Sequence, residues 1–481
     1  MRRLAALLCL ALAAASPAWA ALKLERVVLV QRHGVRSPTS SNAALAKYAA
    51  APWPNWSVPP GELTPHGALT VALMGETLRD AYRADGLLPS TGCPAPGEVV
   101  VWADGTDQRT RRSGETLAAA LAPGCGLQTG WAPPAPRDEI FGGSAAPQCR
   151  IDVDKGRAAI IESAGPGGLE TPASRAALAR LQAILAPKAC EGGAGTCFSG
   201  ENKIVVGPNG PSAQGPMFVA AGLAEDLLLE YAEGMAAADV AWGRAPSEAQ
   251  IAPVMAVHER MFGLLRGNAY LDARLGAPMA RLVLAALAGD SGPHSGPNVK
   301  LLALAGHDTN LILMAGVFGL AWTLPGEPDI TAPATTLAFE LWSDNTRLYV
   351  RPVLYYETLD QLRTLHPGRA RKLALTFAGC ASGPMRSCPL QTLQRRAQAL
   401  IPPAAARSLE GAHRRHLSRR GEGGAHRPCV QGRWEGEGSR CGKVPSPNAV
   451  MAGQRPGHPS RHSPRLRRVA APGAAKAISG G

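Results

Sequence analysis

Residues 24–38 read LERVVLVQRHGVRSP, an apolar, β-branched run that stops in a cluster of arginine, histidine, glycine and proline. Val27-Val28-Leu29-Val30 offers apolar side chains to both faces, as a central strand covered on both sides would, and a parallel neighbour is expected. Arg32-His33-Gly34-Val35-Arg36 then falls at the carboxyl edge of the sheet, where open α/β sheets bind ligands. The same order of strand, polar loop and helix recurs at 99–102, followed by ADGTDQRTRRSGETLAAALA (103–122), and at 299–306, followed by HDTNLILMAGVFGL (307–320). Between the first two strands Thr64 is a good N-cap and Pro65 suits the first helical position. Leu69, Leu73, Met74 and Leu78 then recur at helical spacing, and Gly86 marks the stop.

Outward from these three units, the fold class is α/β: an open, mainly parallel sheet flanked by helices, with an inserted, mostly α-helical second domain. The α/β domain is expected over 21–150 and 291–402. The interval 151–290 lacks clear strands and shows helical periodicity at 174–185, 216–235 and 253–265. Strand character resumes over 333–357 and 373–377, and a short helix is expected over 389–401.

The loops that follow the three strands hold the chemistry. Guanidinium groups at Arg32 and Arg36 match phosphate oxygens as a two-pronged fork. A histidine among arginines has its protonated form disfavoured, which leaves a neutral ring nitrogen at His33 free to act as a nucleophile. Gly34 would let the backbone approach a ligand. His307 could hold a phosphate oxygen at a helix start, and Asp308 could protonate a departing alkoxide. Arg109 sits nearest the strand edge of its loop and could reach the same pocket; Arg111 and Arg112 read equally well as a solvated helix start. The plain alternatives are a surface Arg/His cluster at 32–36 and a helix cap at Asp308.

The chain has 481 residues and a formal charge of +13, which invites a nucleic-acid or membrane reading until the charge is located. Residues 403–481 carry 15 Arg and Lys against four Glu, whereas 21–402 carry 33 basic and 33 acidic side chains. The body is neutral. The tail holds no Phe or Tyr and one Trp, so it offers no stacking platform for bases; no nucleic-acid partner is expected. It is low in complexity, and is expected to be disordered or out of frame. Residues 1–20 (MRRLAALLCLALAAASPAWA) read as a signal peptide cleaved near Ala20, which implies a periplasmic protein with no membrane segment in its mature form. Nine cysteines remain, expected mostly to pair in an oxidising compartment; Cys190/Cys197 and Cys380/Cys388 are close enough to close local loops. No CxxC pair or HExxH occurs, so no metal and no cofactor are expected.

The stretches RHGVRSPT (32–39), LTPHG (63–67), DQRTRRSGE (107–115), WGR (242–244), AGHDTN (305–310) and WTLPGEPD (322–329) resemble the histidine acid phosphatases, in particular their bacterial periplasmic phytase branch. The resemblance spans about 22–401. It implies that His33 accepts the phosphoryl group, that Arg32, Arg36, Arg109 and His307 hold the phosphate, and that Asp308 protonates the leaving oxygen. It implies that Thr39 and Glu225 line the substrate pocket, and that Cys93 pairs with Cys125, Cys190 with Cys197 and Cys380 with Cys388. The substrate implied is a small-molecule phosphomonoester, above all phytate (myo-inositol hexakisphosphate), acted on by a monomer. Two features depart from that branch. Ser40 stands where a basic residue often follows the motif, which weakens selectivity for a dense polyanion. Cys149 lacks its usual partner, and is an orphan or pairs with Cys429 or Cys441. A glucose-1-phosphatase or broad sugar-phosphate phosphatase is the alternative enzyme, and a phosphate-binding periplasmic protein the alternative without chemistry.

Overall fold

The computed structural model describes residues 22–366 and 370–403, and all statements below concern these. The signal peptide expected over 1–20, the tail beyond 403, and with it Cys429 and Cys441, lie outside them.

The run at 24–31 forms the middle of strand β1 (Lys23–Arg32). Alternation sends its side chains to opposite faces. Val28 and Val30 join one core with Leu313, Met314 and Val283, while Val27 and Leu29 join another with Val71, Met74, Leu78 and Leu117. The first core is built from helices α8 (Ala277–Ala288), α9 (Asp308–Phe318) and α10 (Leu390–Leu400). The second comes from α1 (Pro65–Ala84) and α2 (Gln108–Leu121). The sheet is thus sandwiched between helices. Met74 and Leu78 are fully buried, each worth about 1.5–3 kcal/mol of transfer free energy. α1 begins as its sequence directs: Thr64 Oγ1 accepts from the Gly67 N–H at 2.8 Å, Pro65 occupies the first turn, and Gly86 follows at φ +74°.

The other strands are β2 (Val99–Ala103), β3 (Thr129–Trp131), β6 (Leu301–Gly306), β7 (Thr336–Ser343), β8 (Leu348–Tyr356), β9 (Arg371–Ala374) and β10 (Cys388–Pro389). Their order is β10-β8-β7-β1-β6-β2-β3, with β9 also on β8. β1, β6, β2 and β3 pair in parallel, and the pairs of β7 with β1 and β8, and of β8 with β9 and β10, are antiparallel. Five strands, β8 included, therefore run one way and three the other. Arg32 is level with Gly306, and Gln31 and Ala103 are both level with Ala305. This register brings the ends of β1, β6 and β2 to one line.

Within 151–290 the expected helices appear as α4 (Pro172–Leu185), α5 (Pro216–Ala232) and α6 (Met255–Leu265), with α3 (Val153–Ala164) before them and α7 (Ala269–Leu275) after. α4, α5 and α6 share a core with Val35 of the motif loop, while α8 packs on the sheet and α7 on α9. The interval, in which no clear strand was legible, also carries a hairpin of β4 (Lys203–Gly207) and β5 (Gly210–Gln214). Its strands are half-buried to exposed, so their apolar alternation is weak, although Asn209-Gly210 at the turn is a recognisable hairpin signal.

The three disulfides implied by the resemblance are present, Cys93–Cys125, Cys190–Cys197 and Cys380–Cys388. Cys149 is buried and unpaired among the described residues. No helix among them is long and apolar enough to cross a membrane.

Candidate active site

Because β1, β6 and β2 end level, the loops at 32–37, 306–309 and 104–109 converge. His33 is held in place by its backbone: its N–H donates to Gly306 and its carbonyl accepts from the Ala334 N–H, both at 3.0 Å. Its Nδ1 lies 2.8 Å from the carbonyl oxygen of Gly34. A carbonyl only accepts, so Nδ1 carries the proton, and Nε2 keeps its lone pair. The His33 and His307 rings stand edge to face, 5.6 Å apart. Burial first, then the charges of Arg32, Arg109, His307 and Arg36, push the His33 pKa well below the ordinary imidazole range.

Gly34 is required by a close approach of backbone to backbone. A Cβ there would lie 2.2 Å from the Gly67 carbonyl oxygen, and one on Gly67 would lie 2.0 Å from that of Val35. The two glycines let the motif loop sit on the first turn of α1.

Each arginine is fixed by an acid. Arg32 is fully buried and donates from Nη1 to Asp329 Oδ2 at 2.6 Å and to the Thr331 carbonyl at 2.7 Å. Its Nη2 donates to Glu225 Oε1 and lies 3.6 Å from Asp308 Oδ2. Desolvation opposes the Arg32 charge, but Asp329, Asp308 and Glu225 outweigh it and hold its pKa above the ordinary value. Arg36 donates from Nη2 to Glu225 Oε2 at 2.9 Å. Glu225 thus spans two guanidinium groups; burial would raise its pKa, but Arg36 and Arg32 hold it low. Arg109 lies 3.0 Å from Asp107 Oδ1 and donates to the Gly61 carbonyl at 3.2 Å. The Nε–H groups of Arg32 and Arg109 are buried without an acceptor, donors that an oxyanion would satisfy.

His307 Nε2 lies 3.1 Å from Asp104 Oδ2 and 3.4 Å from Asp107 Oδ2. Asp104 also accepts from Arg137 and from the Thr106 N–H, each at 2.9 Å. Burial would raise the Asp104 pKa, but hydrogen bonds from His307 and Thr106 keep it well below the usual carboxylate range. Asp104, Asp107 and His307 are the one grouping among the described residues whose donor atoms lie within 4.8 Å of one another, close enough to share a cation. Asn310 Oδ1 accepts from the His307 N–H at 2.9 Å at the start of α9, where Asp308 Oδ1 also accepts from the Thr309 N–H at 2.5 Å.

The structure therefore brings His33, Arg32, Arg36, Arg109, His307, Asp308 and Glu225 together. Thr39 is exposed beside them, its Cα 3.8 Å from where a Gly61 Cβ would be. Arg111 bonds the Gly105 carbonyl and Arg112 forms an exposed pair with Glu115, outside the cluster. Asp104 and Asp329 were missed. Each follows or precedes a strand within a stretch already singled out, but nothing in the residue string pairs Asp329 with Arg32, 297 positions away.

A family profile described as the histidine phosphatase superfamily (branch 2) matches residues 23–181 and 231–355. The phytase AppA of Escherichia coli (strain K12) is 34% identical over 386 residues, 75% of this chain and 87% of that protein. A glucose-1-phosphatase of Salmonella typhimurium is 26% identical, covering 76% of this chain and 90% of its own length. Among solved structures, Hafnia alvei phytase in complex with tartrate superposes with a TM-score of 0.74 at 34% identity, over 81% of this chain and 99% of that one.

Proposed function

We propose that this chain, which belongs to branch 2 of the histidine phosphatase superfamily, hydrolyses phytate through a phosphohistidine on His33. It is a phosphoric monoester hydrolase, as its family and its phytase relatives are. The observation that carries the mechanism is the Nδ1–H bond of His33 to Gly34, which leaves Nε2 neutral and nucleophilic among Arg32, Arg36, Arg109 and His307. These cations and the His307 imidazole hold the phosphate oxygens and offset the charge that spreads over them. The Nε2 lone pair attacks phosphorus as the ester P–O bond breaks. Asp308, in its acid form, gives its proton to the departing alkoxide. Water then attacks the phosphohistidine and loses a proton to the Asp308 carboxylate. The P–N bond breaks, and phosphate leaves with His33 neutral again. Glu225 acts by holding Arg32 and Arg36 in register.

A sugar-phosphate phosphatase, such as a glucose-1-phosphatase, is the second reading, favoured by Ser40. A cavity of about 270 Å³ beside the motif loop is walled by Ser37, Ser40, Ser41, Asn42, Asn55 and Trp56, without a charged side chain. Initial rates on phytate, glucose 1-phosphate and p-nitrophenyl phosphate at acid pH, with EDTA present, separate the readings. A kcat/KM highest on phytate supports the first. A preference for glucose 1-phosphate replaces it with the second, and no hydrolysis of any ester leaves only a phosphate-binding protein. Export through residues 1–20 is inferred with this function, supported by the three disulfides; a mature N-terminus elsewhere than near Ala20, read by Edman degradation, would contradict it.

A further inference from the structure

A second arginine site borders the first. Arg266 follows α6 and lines a cavity of about 310 Å³ with Glu259, Phe262, Ile312, Trp322 and Ile330. Two of its wall residues are close in the chain to residues of the phosphate cradle. Ile330 follows Asp329, which holds Arg32, and its N–H donates to Glu259 Oε1 at 3.3 Å. Ile312 stands one turn beyond Asp308 on α9.

Arg266 differs from the three cradle arginines. Those each have a carboxylate oxygen at 3.0 Å or closer, whereas Arg266 has none within 4 Å among the described residues. Its Nη1 donates to the neighbouring Leu265 carbonyl at 2.8 Å, and its Nε–H is buried with no acceptor. Burial lowers the Arg266 pKa from its ordinary value, and the nearby carboxyl groups of Asp272 and Asp308 oppose that shift. Asp272 is buried and keeps its proton up to about 8, and Glu259 up to about 7, burial being the first cause for both. In acid, neither neutralises Arg266. A guanidinium that stays charged with unspent donors in a half-apolar cavity favours an anion.

We infer that Arg266 binds a second phosphate of a polyphosphorylated substrate while the first lies against His33. This rests on the reading of phytate as substrate, and it names the residue that lets the site favour a polyanion although Ser40 contributes no charge.

The test uses the full chain with p-nitrophenyl phosphate as reporter and myo-inositol hexakissulfate, six anions without a scissile phosphoryl group, as competitor. Arg266→Gln is expected to raise the hexakissulfate Ki about tenfold, as for the loss of one charge-assisted contact, with the Ki of inorganic phosphate rising far less. Arg266→Lys, which keeps the charge but not the fork, is expected to recover about half of the loss on a logarithmic scale. Equal rises for both inhibitors would reduce Arg266 to a structural support of Asp308 and overturn the inference. So would an unchanged Ki for hexakissulfate, or no inhibition of the wild type by it. Should Arg266→Gln not fold, Arg266→Lys decides alone: a Ki equal to wild type counts against the contact. Wild-type turnover of phytate is measured separately. If it is absent while the hexakissulfate Ki still depends on Arg266, the substrate reading fails and the second anion contact stands.

Discussion

His33 donates from Nδ1 to the carbonyl oxygen of Gly34 at 2.8 Å, and that one bond fixes which ring nitrogen can attack. The acceptor is backbone, so no change of side chain removes it and no change of pH titrates it. His33→Ala is expected to lower kcat on p-nitrophenyl phosphate by about a thousandfold or more, as deletion of a nucleophile does. Inorganic phosphate should still bind, since Arg32, Arg36 and Arg109 keep their own anchors. Residual turnover above about a hundredth of wild type would count against His33 as nucleophile.

Asp308→Asn removes the proton but preserves the shape of the site. Phytate and sugar phosphates leave as alkoxides that need the proton, whereas p-nitrophenolate barely does. The variant should lose about 10²-fold or more on the former and clearly less on the latter. Equal losses on both would take the general-acid role from Asp308.

Glu225 joins Arg32 to Arg36 at the floor of the site. Glu225→Ala leaves buried Arg36 without a carboxylate and Arg32 with Asp329 as its remaining close one, and a cost of about 3–5 kcal/mol is expected from the loss of one partner of a buried pair. Urea unfolding reads the stability, and the Ki of inorganic phosphate reads the alignment. Both should worsen, and Glu225→Gln should fall between. Unchanged values in Glu225→Ala would mean that Asp329 alone positions Arg32.

Stability should be greatest in mild acid. Asp226 and Glu259 hold their protons up to about 7, and Glu230, Asp272 and Glu357 up to about 8, with burial the first cause in each. The unfolded chain sheds them near about pH 4. Between those limits the native state binds more protons, so stability present below about pH 4 is lost as pH rises towards 7–8, by up to about 1.4 kcal/mol per pH unit for each proton. Asp104 and Glu225, held low, act in the opposite sense: their contribution is present above about pH 4 and fades below it. The urea midpoint should therefore peak near about pH 4–5 and decline towards pH 8. Glu357→Gln, at a site where burial is the sole cause of the shift, should flatten the decline. A midpoint that climbs from pH 5 to pH 8 would contradict this.

Much of the site could be read from residues 24–36, because one strand and its exit loop fix both the middle of the sheet and the nucleophile. Thr64 and Pro65 specified the start of α1 by local chemistry alone. The partners of that chemistry were less legible. Like charge was the reason the sequence offered for a neutral His33, but burial outranks it, and burial is a property of the packed fold. Asp329 and Asp104 carry no local signature; only the folding of distant loops makes one the clamp of Arg32 and the other the partner of His307. Gly34 could be read as special, but not that Gly67 would be what approaches it. The antiparallel half of the sheet was also hidden, because the apolar runs of β7 and β8 do not state their direction.

The covalent step is open to direct observation. Enzyme mixed with [³²P]-labelled substrate and quenched in alkali within the first turnover, where a phosphorus–nitrogen bond survives, should carry label that is lost in acid and maps to the peptide containing His33. Protein that turns over at its full rate yet never carries label there would contradict covalent transfer to that imidazole.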